Sequence, residues 1–404
     1  MSQAAPQSWR NVPRSVVALG LVALFMDTSS ELVHSLLPLF LVDVLGASMV
    51  TVGIIEGVAE ATAAIAKVFS GVLSDRIGKR KLLTAIGYGM SAATKPIFPL
   101  AGSVAAVLAG RFLDRIGKGI RGAPRDALVA DITPQEIRGA AYGMRQALDT
   151  IGAFAGPLLA MGLMVLYAND FRAVFWWAVL PAMIAVALVI FGVQEAEGRK
   201  PSRATGWPIK KADLVAMSGS FWWVVVIGVV FTLARFSEAF LVLKGQEAGL
   251  PLALVPLVLV AMNVVYAAIA TPAGVLSDKI GRRKVLVAGL AVLVVSDLVL
   301  AFWPSITGLF IGVVLWGAYM GLSQGLLSAL VADTAPDNLR GTAFGIFNLL
   351  TGVALLAASS LAGVLWMHYG SMATFAAGAA FAAVAAVALA LGSSSPQKPK
   401  PASS

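Results

Sequence analysis

GVLSDRIGKRK, from Gly71 to Lys81, returns 203 residues later as GVLSDKIGRRK, from Gly274 to Lys284. Each copy follows one long apolar stretch and precedes another. A second pair keeps nearly the same offset: VADITPQEIRGAAYG, Val129 to Gly143, matches VADTAPDNLRGTAFG, Val331 to Gly345. Two motif pairs at nearly one spacing describe a chain made of two related bundles in tandem. Parallel repeats of this kind build transporters, with the repeats related by an axis along the membrane normal.

The composition names the solvent. The 404 residues are 58% hydrophobic and 13% charged, with a mean hydropathy of +0.85. A water-soluble fold has too little interior to hide that much apolar surface. Lipid accepts it, and lipid forces the backbone into helices or closed barrels. The apolar runs are long and uninterrupted, which favours helices over the alternating segments of a barrel. The net charge of +9 sits in short loops between apolar runs. That is a topology signal, and it points away from nucleic acid as a partner. With no cysteine, disulfides and thiolate chemistry are ruled out.

The pattern predicts an all-α integral membrane protein with twelve transmembrane helices in two parallel six-helix repeats. The first six spans run over about 15–41, 49–73, 82–102, 103–123, 139–168 and 171–193. The second six run over about 216–243, 251–276, 284–303, 305–332, 341–366 and 371–392. Residues 1–14 form an N-terminal segment, 15–193 the first bundle, 194–215 a polar linker, 216–392 the second bundle and 393–404 a disordered tail. The apolar run after Arg14 carries Asp27 and Glu31 and has no convincing cleavage site, so it reads as a first span rather than a signal peptide.

One set of loops holds Arg76 to Lys81, Lys118 to Arg138, Arg199 to Lys211, Lys279 to Lys284, Arg340 and the C-terminal lysines. The opposite set holds Arg172 and Lys244. The positive-inside rule then places both termini and the linker in the cytoplasm, in a plasma membrane or bacterial inner membrane.

Ionisable groups inside spans are costly and are functional candidates by default. Asp27, Glu31 and His34 share one face of span one. Span two carries Glu56 and Glu60 a turn apart, with Lys67 further along. A carboxyl group in a low-dielectric cavity can take a proton on one side of the membrane and give it up on the other. Asp27, Glu31 and Glu60 are the candidates for that coupling, and Lys67, Lys95 and Arg145 are the available structural partners. Asp27, Glu31 and His34 also offer two carboxylates and an imidazole, donor types that suit a divalent transition metal. Arg145 with Asp149, and Arg235 with Glu238, stand at helical spacing and can pair. Asn263 and Asp297 complete the polar set. Span four ends in RFLDRIGKGIRGAPRDALVAD, where charges crowd from Arg111 onward. Arg115 is a candidate functional group, whereas Arg121 and Arg125 are expected in a loop beyond Lys118.

These motifs resemble the major facilitator superfamily over essentially the whole chain. Gly71, Asp75, Arg76, Gly78, Lys79 and Arg80 match its cytoplasmic motif between spans two and three. Gly274, Asp278, Gly281 and Arg282 repeat it between spans eight and nine. Arg115 with Gly119 resembles the Arg-and-Gly motif of span four, from which Lys118 and Arg121 depart by their charge. Gly152, Gly156 and Pro157 resemble the span-five motif of the antiporters, although Ala160 stands where a glycine is usual.

The resemblance implies alternating access around a midplane cavity lined by spans one, four, seven and ten, with protons as the coupling ion and no cofactor. Gly78 suits a tight turn and Gly71 a close helix approach. Asp75 suits a pair with a nearby arginine or a helix N-terminus. Lys79 and Arg80 suit an anionic lipid surface. The expected activity is proton-coupled efflux of a small molecule or drug by a monomer in the bilayer. The alternative is export of a divalent metal or its chelate, and the remote one a membrane sensor that does not transport. Without a phosphate-binding loop or a soluble catalytic domain the chain does not read as an enzyme.

Overall fold

The computed structural model describes residues 12–195, 211–336 and 339–391, apart from the side chains of Val72, Asp75, Glu136, Lys211 and Ala212. Most of the expected N-terminal segment and linker, and all of the tail, lie outside the described residues.

The described chain is helical. Helix α1 spans Arg14–His34 and continues through Leu37–Leu39 and a π-helical turn, Phe40–Val44. Then follow α2 Met49–Ile77, α3 Arg80–Thr94, α4 Val104–Ile132 and α5 Arg138–Leu166. Helix α6 comprises Phe171–Trp176, Val179–Ala187 and Leu188–Gly192. In the second half, α7 runs over Gly219–Leu233 and resumes at Ala239–Glu247. Helices α8 Leu257–Ile280, α9 Arg282–Phe302 and α10 Ile306–Thr334 follow. The last helical stretch, Arg340–Leu391, breaks at Gly370, where φ is 82°. It is therefore two helices, α11 (340–369) and α12 (371–391).

Local signals set the ends. The hydroxyls of Ser48, Ser103, Ser218 and Ser305 accept a backbone N–H from the first turn of α2, α4, α7 and α10, the usual task of a serine N-cap. Ser103 and Ser305 are repeat-related. Gly78 and Gly281 end α2 and α8 with φ of 71° and 93°, a left-handed conformation that side chains resist. Gly71 differs from expectation: a Cβ there would stand 3.5 Å from that of Ala123, an ordinary contact, and one at Gly274 would meet nothing within 4 Å.

Among the described residues, eight helical stretches are long and apolar enough to cross a membrane, counting Arg340–Ala390 as one. Helix α3, at 15 residues, is short, and α4 carries many charges. Outward-facing side chains such as Leu158, Val165, Val226, Val264 and Val384 are apolar and exposed, as lipid contact demands.

The halves are built alike. Helix α4 lies between α2 and α3, and α10 between α8 and α9; α1 packs on α5, and α7 on the α11–α12 stretch. The halves meet along α2 and α11, where small residues interlock. A Cβ on Gly57 would come 2.8 Å from Leu356 Cα, and one on Gly352 would come 3.0 Å from Ala64 Cβ. A single apolar core joins Leu36 to Leu41 of the first half with Phe236 to Leu243 of the second. Gln246 donates to Asp43 at 2.8 Å at the same end. At the end carrying the basic loops the cores are separate: Val16, Leu19, Leu128 and Ala185 belong to one half, Phe221, Val331 and Phe347 to the other. The halves are thus sealed at one end and parted at the basic end, save along the α2–α11 seam.

Two expectations need correction. Helix α4 does not end near Lys118 but continues to Ile132, because its late arginines find partners inside the bundle. Span seven is interrupted at 234–238. The helical spacing that would pair Arg235 with Glu238 is therefore lost, and they form no ion pair.

A charged cavity between the halves

The parted end opens into two adjoining lobes of about 330 and 280 Å³. They share Glu31, Glu60 and Lys118. Asp27, Lys67, Arg121, Arg125, Asp149 and Asn348 line the first. His34, Glu56, Arg115, Arg235, Glu238 and Gln324 line the second.

The approach of α1 and α5 sets the acidic wall. Gly152 and Gly156 of α5 fall on the turns of α1 that carry Asp27 and Glu31. A Cβ on Gly156 would lie 2.7 Å from Glu31 Cβ and 2.8 Å from Leu32 N, and one on Gly152 would lie 3.1 Å from Asp27 Cβ. Side chains at these two positions would hold the helices apart. The approach brings the Asp27 and Asp149 carboxyls within hydrogen-bonding reach of each other. A hydrogen bond between two carboxyls needs a proton, and two bare carboxylates at that range repel.

Beside this pair runs a chain of compensated charges. His34 Nδ1 is 3.3 Å from Glu31, and its Nε2 is 3.4 Å from Glu56. Arg111 Nη2 donates to both Glu56 oxygens, at 2.9 and 2.7 Å. Arg115 faces Glu60 at 3.5 Å. Lys95 donates to Asp114 at 3.1 Å and to Ser30 at 3.0 Å, fully buried. In lipid such charges persist because each has a partner.

The arginines expected in a loop belong to this wall. Arg121 donates to the Ser91 hydroxyl and lies 4.6 Å from the centre of the Tyr88 ring. Arg125 donates to Asp126 at 3.1 Å and to Tyr88 at 3.4 Å, and stands 4.0 Å from Asp149. Arg145 lies 3.8 Å from Asp149 and donates to Gln146 at 2.9 Å. Lys118, Arg121 and Arg125 were legible as a charge cluster, but the two arginines were expected in a loop and not in the cavity wall. Their spacing of three, four and seven residues puts them on adjoining faces of one helix, and that spacing was the available signal.

The repeated cytoplasmic-type motif stands apart, at the basic end. Arg80 pairs with Asp131 at 2.8 Å, and Arg282 with Asp333. The two pairs stand 202 residues apart, the spacing of the second motif pair and one less than that of the loop motif. Glu195 accepts from the backbone N–H of Arg80 and of Lys81, at 3.0 and 2.9 Å. These ties close within a half and leave the halves free to part. Arg76, Lys79 and Asp278 are exposed, and the Asp75 side chain lies outside the described residues.

Asp27, Glu31 and His34 do not gather as one donor set. His34 turns to Glu31 and Glu56, while Asp27 turns to Asp149. Among the described residues no three His, Asp or Glu side chains are arranged to hold a metal ion.

The Major Facilitator Superfamily model matches residues 19–262 and 227–404. An uncharacterized MFS-type transporter of Methanocaldococcus jannaschii is 31% identical over 387 residues, covering 94% of this chain and 95% of that protein. The class C tetracycline resistance protein of Escherichia coli is 26% identical over 329 residues, covering 74% and 78%. In structure, a bacterial homolog of the human lysosomal transporter Spinster, inward-facing and occupied, superposes with a TM-score of 0.77 at 14% identity, over 93% of this chain and 95% of that one. The duplicated helical halves, the cavity between them and the match over the whole chain lead to one assignment: this protein belongs to the Major Facilitator Superfamily.

Proposed function

We propose that this protein is a proton-coupled secondary transporter that expels a small molecule by alternating access. One observation carries the coupling: the Asp27 and Asp149 carboxyls meet inside a cavity that opens at one end of the bundle. Such a pair holds one proton between the two groups and must lose or share it when the helices move. The basic loops mark the open end as cytoplasmic, in a plasma membrane. One chain contains both halves of the cavity, so a monomer suffices.

The charges of the wall speak to the substrate. Glu56 and Glu60 are each engaged by an arginine and Glu31 by His34, and Asp27 with Asp149 form a unit. Lys67, Lys118 and Arg235 line the cavity without an ion-pair partner among the described residues, against one acid, Glu238, that also lacks one. A small molecule carrying a negative charge suits that excess.

The test uses proteoliposomes with an imposed pH gradient. Proton movement is recorded on addition of organic acids, lipophilic cations or divalent metals, for the wild type and Asp27→Asn. The expected result is proton movement with the organic acids, lost in the variant. Movement with cations or metals alone would refute the substrate class. Transport unaffected by the gradient would refute proton coupling.

A further inference from the structure

Asp297 of α9 is fully buried, and among the described residues neither carboxyl oxygen has a hydrogen-bond partner. The repeat explains how this arose. At the offset of 202, Asp297 corresponds to Lys95, and Trp316 of α10 corresponds to Asp114. In the first half those positions hold the Lys95–Asp114 ion pair. In the second they hold an acid and an indole, and the Nε1 of Trp316 is also buried without a partner among the described residues. The duplicated position kept an ionisable group but not its counter-charge.

The surroundings are largely apolar. A Cβ on Gly378 of α12 would stand 2.6 Å from Asp297 Oδ2 and 3.1 Å from the Phe236 ring. Phe236 packs against Trp316 at 5.4 Å and Phe375 at 5.3 Å between ring centres. The ionisable neighbour on α10 is the buried phenol of Tyr319. On α12 the groups packed here are Gly378 and Phe375. On α7, Arg235 and Glu238 flank Phe236 but line the central cavity. Among the described residues no cation makes an ion pair with Asp297.

We propose that Asp297 is a proton-binding site of the second half, shut off from the central cavity by Phe236. A bare carboxylate here would be an uncompensated charge in a lipid-embedded bundle, which is costly. A metal ion needs several oxygen ligands, and the groups packed here, Gly378, Phe236, Phe375 and Trp316, carry no side-chain oxygen. A proton needs neither room nor further ligands.

The route out is built into α7. Phe236 lies in the non-helical stretch at 234–238 and also lines the cavity lobe that holds Arg235 and Glu238. When that stretch shifts, an Asp297 oxygen meets cavity water. The O–H bond of the acid breaks, water takes the proton and a carboxylate remains; closure requires the reverse. The site is independent of the Asp27–Asp149 pair and of any substrate.

Infrared spectroscopy of the protein reconstituted in lipid tests this. The readout is the carbonyl stretch of protonated carboxyls across a pH series and after transfer to heavy water. The wild type should show a protonated-acid band that is lost in Asp297→Asn and retained in Asp27→Asn. The same band should move in frequency in Asp297→Glu. In Phe236→Ala its deuterium shift should become severalfold faster. A carbonyl region unchanged by Asp297→Asn would overturn the site while leaving the Asp27–Asp149 reading intact. Equal exchange in Phe236→Ala and the wild type would overturn the gate. Should Asp297→Asn fail to fold, the Asp297→Glu shift decides, since it keeps the acid.

Discussion

Asp27 of α1 and Asp149 of α5 stand carboxyl to carboxyl, and Gly152, one turn beyond Asp149, presses against the turn of α1 that bears Asp27. The acid pair and the close helix packing are therefore one feature. Groups that share a proton act as a unit and give strongly non-additive effects. Asp149→Asn should abolish gradient-driven transport as Asp27→Asn does, and the double variant should be no worse than either single one. Exchange of substrate across the membrane without a pH gradient should survive in all three. Additive losses in a transport assay would mean that the two acids work separately.

The glycines of α5 give a second test. A methyl group at position 156 would fall 2.7–2.8 Å from atoms of α1, two of them backbone. Backbone cannot swing aside as a side chain does. Overpacking of this kind costs about 1–3 kcal/mol. Gly156→Ala should lower the melting temperature of the purified protein and also slow transport, because it separates Asp27 from Asp149. Gly71→Ala, whose Cβ would make only an ordinary contact, should leave the melting temperature close to that of the wild type. Equal behaviour of the two variants would refute the packing argument.

The duplication was readable because the two copies of the loop motif punctuate apolar runs at a fixed offset. The acids of α1 and α2 were readable because a charge within an apolar run is conspicuous. Arg121 and Arg125 were misplaced because a basic residue near a span end looks the same whether it faces water or a tyrosine across the bundle. Contact with Tyr88 and Ser91 is a tertiary fact, invisible along the chain. The break in α7 was hidden for the opposite reason. Arg235, Ser237 and Glu238 interrupt an apolar run without a proline or glycine to mark the end of the helix. The isolation of Asp297 follows from what stands opposite it, and becomes visible only when α9 and α10 are laid beside α3 and α4.

Glu56 and Arg111 form the most buried ion pair of the cavity wall, with side chains 1% and 3% exposed. Removing one partner of such a pair leaves the other charge uncompensated, at a cost of about 3–5 kcal/mol. Glu56→Gln and Arg111→Met should each lower the melting temperature markedly in detergent. The double variant should recover much of the loss, since it leaves no orphaned charge. His34→Ala removes the contacts to Glu31 and Glu56 but leaves the Glu56–Arg111 pair in place, and its effect should be smaller. Two single losses that simply add would show that the pair does not act as one unit.

Asp43 and Gln246 join the two halves at the sealed end, where Gln246 donates to Asp43 at 2.8 Å. Alternating access requires that end to open while the basic end closes. The natural chain contains no cysteine, so a pair placed there reacts without background. With cysteines at positions 43 and 246, a short thiol-specific cross-linker should stop transport, and a cleavable one should restore it once cut. Binding of substrate from the basic side should persist while the link is in place, because the cavity stays open in that direction. Continued transport by the fully cross-linked protein would show that this end need not part. The rocking motion assigned to the two halves would then be wrong.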